Sequence, residues 1–275
     1  MWGPLSGSSS QVITSAVAAP FNPGDISSCA LWLESKEGVE DDSGATPDNG
    51  EAIKKWTDMI SGTTNVFEQD SADADQPQYV TGVFGSNPAV KPDGSNDFMS
   101  RADTSALDAL ATDQWMFIFR FKTNASITTG TKTYISKYSG NGYYHGESYK
   151  GGSQKWWMAI TDGGTYTQMN GSTTVAADTT YTVEMHNTDG SEDGTGWQIY
   201  VGEGSTTPSA ETMAVANGND LLDGTGENTA DIALFYRGGT GTYSFGNFGC
   251  VGFFDPIPST EDLALLRTYI SDNYP

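Results

Sequence analysis

Basic residues are scarce in this sequence. Its 275 residues include 13 Lys and Arg against 35 Asp and Glu, which gives a formal net charge of −22 at pH 7. A surface this acidic repels phosphate backbones and anionic lipid headgroups. No hydrophobic run reaches the length of a membrane-spanning helix, about 20 residues. We therefore expect neither nucleic acid nor a membrane as a partner.

Cysteine is also scarce, and no basic residue precedes Lys36. Two cysteines, Cys29 and Cys250, are too few for a disulfide framework, and they lie near opposite ends of the sequence. A bridge between them would require the terminal strands to pair, so the pairing stays open at this point. A secretory signal peptide begins with a positively charged region. Its absence here predicts that the chain has no such signal.

Catalytic signatures are missing as well. The two histidines, His145 and His186, have no nucleophile elbow or cysteine beside them in sequence. The zinc motif HExxH, the CxxC pair and the phosphate-binding loop are all absent. Glycosidases usually need two carboxylates across a cleft, but Glu184 stands alone on its predicted strand, and no Glu-x-Asp-x-x-Glu spacing occurs. The sequence therefore predicts a protein that is not an enzyme.

Short alternating strands separated by glycine-rich turns make up most of the sequence. In WMFIFRF (115–121), Trp115, Phe117, Phe119 and Phe121 fall on one face by the two-residue period of a strand, so that face must be core. Further strands are predicted at 30–34, 133–138, 155–161, 166–170, 181–186, 196–201, 231–237 and 245–254. Many short strands at this spacing predict an all-β, antiparallel sandwich.

One helix is predicted, over 258–270. Ser259 is placed to cap its N-terminus, and Leu263, Leu266 and Ile270 fall on one face that would pack on the sandwich. The sandwich domain is predicted to span 29–275.

Residues 1–28 are predicted to form an N-terminal extended arm. The segment is rich in Ser, Ala, Gly and Pro, with one more strand-prone stretch at 11–19. Such an arm is suited to docking onto a neighbouring subunit. The alternative interpretation is that the segment is a flexible terminus.

A series of motifs resembles the LamG-like domains of the concanavalin A-like lectin/glucanase group. In chain order they are FNPGDI (21–26), LWLE (31–34), IKKWTD (53–58), QPQYV (76–80), PAVKPDGSNDF (88–98), YTVEMH (181–186), WQIYV (197–201), DIALFYR (231–237) and GCVGFFDPIPSTED (249–262). The resemblance covers about residues 21–274 and implies a jelly-roll sandwich. It also implies that the first and last core strands are neighbours, which would bring Cys29 and Cys250 close together.

The lead-in FNPGDI followed by LWLE looks most like the versions of this domain in tailed-phage virion proteins. The resemblance therefore implies a non-enzymatic structural protein that decorates a capsid or belongs to a tail or fibre. Its expected partners are other virion subunits and further copies of itself, with host or environmental glycans also open. Its expected location is the particle surface, after assembly in the host cytoplasm. The alternatives are a free-standing carbohydrate-binding module and a polysaccharide-active enzyme of the same fold.

Five residues are the candidates for glycan contact. They are Tyr143, Tyr144 and His145 in the segment GYYHGE, and Trp156 and Trp157 in KWWM. Aromatic faces stack on the C–H faces of sugars, and neighbouring polar groups fix the orientation. In a strand the two tryptophans point to opposite faces, so one is expected in the core and the other on an open face. Core packing alone is the competing explanation for this cluster.

Metal and cofactor sites are not assigned. The oxygen-rich loops at 93–97, 189–193 and 220–228 do not have the spacing of a known calcium loop, so no cofactor is predicted and only a structural calcium is left open. The first of these loops is explained as turn chemistry. We expect a hairpin in AVKPDGSNDFMS (89–100), with Gly94 at the turn, the carboxylates of Asp93 and Asp97 accepting backbone N–H groups, and Val90 and Phe98 facing the core.

Overall fold

A computed structural model describes residues 21–60, 62–63, 65–71, 73–102, 114–126, 132–137, 147–149, 154–162, 165–189, 194–217, 231–237 and 242–275. Strand-prone residues 11–19 lie outside this part of the chain. No helix in the described ranges is long and apolar enough to cross a membrane.

The described elements are almost all strands. In the first half of the chain they are β1 (Cys29–Glu34), β2 (Val39–Glu40), β3 (Lys55–Thr57), β4 (Val66–Glu68), β5 (Gln78–Phe84), β6 (Asn87–Lys91), β7 (Met99–Arg101), β8 (Trp115–Lys122), β9 (Lys132–Thr133) and β10 (Ile135–Lys137). In the second half they are β11 (Glu147–Tyr149), β12 (Lys155–Asp162), β13 (Thr165–Thr174), β14 (Thr180–Asn187), β15 (Trp197–Glu203), β16 (Ser209–Ala210), β17 (Ala214–Asn217), β18 (Ile232–Leu234), β19 (Tyr236–Arg237), β20 (Thr242–Tyr243) and β21 (Asn247–Phe254). The α-helix, α1, spans Thr260–Asn273, and short 3-10 helices lie at Pro23–Asp25 and Asp73–Asp75.

Two antiparallel sheets form the sandwich. Within the described residues, sheet A has the order β16-β15-β14-β8-β21-β6-β5, with β1 also paired to β21, and sheet B has the order β10-β18-β7-β4-β3-β2. Strands β12, β13 and β17 form a smaller sheet beside them. One continuous core joins all three, and this confirms the predicted all-β jelly-roll sandwich with a C-terminal helix.

Strand β8 lies in the middle of sheet A and is buried on both faces. Phe117, Phe119 and Phe121 point into the core between the sheets, as the alternation predicts. Met116 and Ile118 point the other way, into a second apolar cluster that helix α1 covers. The molecule therefore has three layers, with sheet A sandwiched between sheet B and the helix.

Helix α1 begins where the sequence predicts its cap. The backbone N–H of Asp262 donates to Ser259 Oγ at 3.1 Å, and Leu266 and Ile270 are fully buried against sheet A. Beyond the helix, the buried guanidinium of Arg120 holds the chain in place, because its Nε donates to the carbonyl oxygen of Tyr274 at 2.6 Å. The docked helix confirms the predicted packing face.

Residues 21–28, assigned to the arm from sequence, lie against the sandwich. Ile26 is buried in the cluster under the helix, and Phe21 packs edge-to-face on Tyr269 with 5.8 Å between ring centroids. Asn22 caps the 3-10 helix by accepting the N–H of Gly24. This part of the lead-in therefore belongs to the folded domain.

The segment 89–100 is not a hairpin. Strand β6 pairs with β5 and β21 in sheet A, whereas β7 pairs with β18 and β4 in sheet B, so the turn carries the chain from one sheet to the other. Val90 is fully buried as expected, but the core position after the turn belongs to Met99. Phe98 is only half-buried, beside Tyr236. The alternation of inward and outward side chains along β6 does not predict which side chains face the core in β7, because the turn between the two strands is irregular.

The first and last core strands are neighbours, as the resemblance implies, but their register separates the cysteines. Cys29 is paired with Phe254 and Cys250 with Glu34, at opposite ends of the antiparallel ladder. At about 3.3 Å per residue they are on the order of 15 Å apart along the strands, beyond the roughly 7 Å limit for a disulfide. Both are free cysteines in the described structure.

Candidate functional site

The sequence-predicted aromatic site is only partly within the described structure. Tyr143, Tyr144 and His145 lie outside the described residues. Trp156 and Trp157 point to opposite faces of β12, and Trp156 is in the core as expected, 5.3 Å from the ring of Tyr181. Trp157 is only 6% exposed and packs with Ala159. The expectation of an open tryptophan face is therefore wrong, and a role in glycan binding for this cluster stays a prediction.

A polar cleft of about 910 Å³ opens elsewhere, where several inter-strand loops meet. It lies at the end of the β5–β6 pair, where Gln78 and Lys91 face each other across the ladder. The residues that line it are mostly acids and amides: Asp41, Asp42, Ser43, Gly50, Glu51, Ala52, Asp73, Ala74, Gln76, Gln78, Lys91, Pro92, Asp93, Asp97 and Asn124. The cleft is thus built from the β2–β3, β4–β5 and β6–β7 connections, with Asn124 just after β8.

The β2–β3 connection is shaped by its own carboxylates. Asp41 Oδ1 accepts the N–H of Ser43 at 2.8 Å and that of Ala45 at 3.0 Å, besides the Ser43 hydroxyl. The hydroxyl bond from Ser43, followed by the backbone bonds, holds the pKa of Asp41 below its usual value. Glu51 accepts the N–H of Asp48, and Ala52 forms a bridge to Gln78 of β5. The loop is thereby fixed against the edge of sheet A.

Gln76 forms a buried part of the cleft wall. Its side chain is 3% exposed, and its Nε2 donates to the carbonyl oxygens of Gln69 and Ser71, each at 3.1 Å. Because both partners are acceptors, the nitrogen must face them, which fixes the orientation of the amide. Gln76 Oε1 has no hydrogen-bond partner among the described residues. A buried carbonyl oxygen without a donor is costly, so the described cleft wall contains one acceptor whose hydrogen-bonding capacity is unused.

The β6–β7 turn closes the other side of the cleft. Asp97 Oδ2 accepts the N–H of Asp93 at 2.8 Å, and Asp93 Oδ1 accepts the N–H groups of Ser95 and Asn96 at 2.7 and 3.2 Å. Gly94 has φ +85°, which a residue with a side chain rarely adopts. The predicted turn chemistry is therefore confirmed. No sequence pattern indicates that the same turn also forms one wall of a cleft.

Two further contacts connect this turn to the 3-10 helix that precedes Gln76. Asn96 Nδ2 donates to the carbonyl oxygen of Ala74 at 2.9 Å and to a carboxylate oxygen of Asp75. Burial, together with the negative charges of Asp93 and Asp75, raises the pKa of Asp97 to about 7. The hydrogen bond from the Asp93 N–H lowers the pKa and offsets only part of this rise. The Asp97 carboxyl group in the cleft wall is therefore partly protonated near neutral pH.

The cleft is rich in acceptors and poor in cations. Its described lining has six carboxylates and one ammonium group, that of Lys91. Within the described ranges no three His, Cys, Asp or Glu side chains are grouped so that they could hold a metal ion. The calcium loop considered at 93–97 is engaged in its turn, while most of 189–193 and all of 220–228 lie outside the described residues. The cleft is thus arranged to receive hydroxyl or amine donors.

Comparison with known proteins identifies the fold and no family. No protein-family model matches the sequence, and no curated protein matches it either. Among solved structures, the chain is similar to the binding domain of Paraclostridial mosquitocidal protein 1 (TM-score 0.57, 11% identity, 90% of this chain and 53% of that one). It is also similar to an arabinofuranosidase complexed with arabinofuranosyl-alpha-1,2-xylobiose (TM-score 0.53, 9% identity, 90% of this chain and 63% of that one). A third similar structure is the Trypanosoma rangeli sialidase in complex with sialic acid (TM-score 0.52, 12% identity, 86% of this chain and 32% of that one).

The chain spans between about a third and two thirds of the length of these structures. At such low identity the similarity establishes a shared β-sandwich, and fold does not imply function. The phage-specific part of the sequence resemblance stays a prediction.

The cleft is not predicted by any motif in the sequence. Its residues were visible as the acidic and amide-rich stretches around 41–51, 73–78 and 91–97. Each of these stretches, taken alone, is explained as a loop or as a motif of the fold. The convergence of all three at one end of β5 and β6 depends on sheet pairing between distant parts of the chain, which leaves no local pattern in the sequence.

Proposed function

We propose that this chain is a non-enzymatic, glycan-binding β-sandwich whose binding site is the polar cleft at the end of β5 and β6. The observation that carries the proposal is the buried amide of Gln76, whose Oε1 has no donor within the described structure. Sugar hydroxyl groups supply such donors, and several acceptors at fixed positions are needed to orient a sugar ring. The shared fold with the binding domain and the glycosidases named above agrees with this function without establishing it.

Binding without hydrolysis is favoured by the position of Asp97. Its raised pKa would suit a general acid. However, the side chain is 3% exposed and Oδ2 accepts the N–H of Asp93, so the carboxyl group holds a turn and does not face a substrate. We expect no release of reducing sugar from neutral or acidic polysaccharides. Release that disappears in Asp97→Asn would support the alternative, a polysaccharide-active enzyme.

The decisive experiment is a glycan array followed by titration calorimetry with the best ligand. Gln76→Met removes the unpartnered acceptor and nearly preserves side-chain volume, and we expect it to abolish detectable binding. Gln198→Met is the matched control, because the Gln198 amide also donates two hydrogen bonds to backbone carbonyl oxygens but does not line the cleft. Equal binding by both variants and the parent chain would contradict the proposed site.

We further propose that the domain is displayed on a tailed-phage particle and attached through its N-terminal arm, alongside other virion subunits and copies of itself. This part is supported by the sequence resemblance alone. Because residues 21–28 pack on the sandwich, the deletion that tests the arm is of residues 1–20. We expect mass spectrometry to detect the full chain in gradient-purified particles of the phage that encodes it, and the deleted chain to be lost from them. A chain found only in the lysate supernatant would refute the virion role.

A further inference from the structure

We propose that the cleft selects positively charged glycans, namely amino sugars whose nitrogen is free and protonated, over their N-acetylated and acidic counterparts. This inference rests on the proposed function, since it specifies the ligand class of the same cleft. It joins two independent observations: the sign of the charge around the cleft and the buried acceptor in its wall.

The first observation is electrostatic. Asp42 is paired with Lys54 Nζ at 3.2 Å, and even with Asp97 protonated the other four carboxylates of the described lining outnumber the single ammonium group of Lys91. A cleft of this volume is about 10 Å across, so a ligand at its centre lies about 5 Å from the walls, within the Debye length of about 8 Å at physiological salt. All of these carboxylates therefore act on a bound ligand, and the field of a chain with net charge −22 has the same sign.

The second observation is the arrangement of hydrogen-bonding groups. Gln76 Nε2 is committed to two backbone carbonyl oxygens, so Oε1 is the atom of this amide whose hydrogen-bonding capacity is unused within the described part of the chain. Asp41 and Glu51 likewise present oxygens held in place by backbone N–H groups. A ligand that satisfies this wall must be rich in donors. A protonated amine donates three hydrogen bonds and accepts none, whereas an acetamido group replaces two of those donors with a carbonyl acceptor.

Acidic sugars are disfavoured by the same two features. The carboxylate of a sialic or uronic acid would add negative charge to a cleft that already has an excess of it, and like charges in one site repel. Such a group also needs donors, and the described lining supplies few. The sialic acid bound by one structural neighbour is therefore not the expected ligand here.

The test is titration calorimetry at about pH 6, where a sugar amine is protonated. The probes are a glucosamine oligomer, the N-acetylglucosamine oligomer of equal length and sialyllactose. We expect the free-amine oligomer to bind about tenfold more tightly than its acetylated counterpart, and sialyllactose not to bind. The advantage should shrink between about 20 and about 200 mM salt, because added ions screen the carboxylates.

Two variants localise the effect. Asp73→Asn removes one charge from an exposed lining residue, and we expect about fivefold weaker binding of the amine oligomer with little change for the acetylated one. Glu261→Gln is the control, since Glu261 is also exposed but lies at the start of helix α1, outside the cleft lining.

The possible failures are distinguishable. If the acetylated oligomer binds as tightly as the amine and both lose affinity in Gln76→Met, the proposed function stands and charge selection is refuted. If no oligomer depends on Gln76 or Asp73, the proposed site itself is refuted. If the polyamine spermine binds as tightly as the glucosamine oligomer and displaces it, the cleft recognises charge alone, and the sugar specificity is refuted.

Discussion

Glu184 in β14 and Arg267 in helix α1 are joined by two parallel charge-assisted hydrogen bonds. Arg267 Nε donates to Glu184 Oε1 and Arg267 Nη2 to Oε2, both at 2.7 Å. Glu184 is fully buried, and His186 Nε2 lies 3.1 Å from its Oε2. Burial works to raise the pKa of Glu184, but the bonds from Arg267 and His186 outweigh it and lower the pKa. The pair thus fixes the helix to sheet A.

Replacing Arg267 should destabilise the protein, because the buried Glu184 carboxylate loses the arginine that neutralises it. We expect Arg267→Met to lower the free energy of unfolding by about 2–4 kcal/mol at neutral pH, because among the described residues His186 is then the side-chain partner that Glu184 keeps. Because the native pKa of Glu184 is lowered, the stabilisation is present above its ordinary pKa, about 4.3, and is lost as the pH falls below it. Urea denaturation at a series of pH values measures this. A gap between the proteins that persists unchanged in acid would indicate lost packing of the arginine stem.

The contribution of the Asp97 carboxyl group to stability should depend on pH in the opposite direction. Its pKa is raised to about 7, so the native state binds this proton more tightly than the unfolded chain. The stabilisation is therefore complete below the ordinary Asp pKa, about 3.9, and is lost as the pH rises through 7. We expect Asp97→Asn to gain stability relative to the parent chain over that interval, by at most about 1.4 kcal/mol per pH unit. A pH-independent difference in urea denaturation would contradict the buried-proton interpretation.

Local sequence patterns predicted the strands and the helix more accurately than they predicted which strands pair with each other. Alternation in WMFIFRF identified the core face of β8, and Ser259 with Leu266 and Ile270 identified the cap and packing face of α1. Those features depend on periodicity within one segment. The sheet that a strand joins depends on pairing with distant segments, so the crossover between β6 and β7 was predicted as a hairpin.

The candidate site was less predictable for the same reason. Trp156 and Trp157 were correctly placed on opposite faces of one strand, but the burial of the second ring depends on what covers it. The acidic loops of the cleft were identified individually, whereas the partnering of Gln76 with the backbone of residues 69 and 71 exists only in the folded chain. Such convergence leaves no local pattern in the sequence, because it depends on contacts between distant segments.

The two thiols should be free and slow to react. The β1–β21 register keeps Cys29 and Cys250 apart, and burial raises the pKa of both thiols, so little thiolate is available to attack a reagent. We expect protein purified without reductant to show two titratable thiols per chain after denaturation. In the native protein Cys250, which is fully buried, should react only as fast as the chain unfolds. Fewer than two thiols in the denatured chain would contradict the observed register.

Gly246 should tolerate no side chain. Its φ is +119°, and a Cβ there would overlap the ring of Phe121, with Cζ at 2.6 Å. The Phe121 ring cannot withdraw easily, because it packs against Tyr134 and Phe248 at centroid distances of 4.7 and 5.0 Å. We expect Gly246→Ala to lower the free energy of unfolding by about 3 kcal/mol or more, from backbone strain and core overlap together.

Gly44 provides the matched control for that substitution. It also has a left-handed φ, +81°, but a Cβ there would meet nothing within 4 Å in the described structure. Gly44→Ala therefore isolates the strain of the backbone, about 1 kcal/mol. Because Phe245 forms a bridge with Asp93 in the cleft wall, displacement at Gly246 should also weaken glycan binding. Equal losses of stability in the two variants, measured by urea denaturation, would show that the Phe121 ring moves aside and that the core near the cleft is softer than its packing indicates.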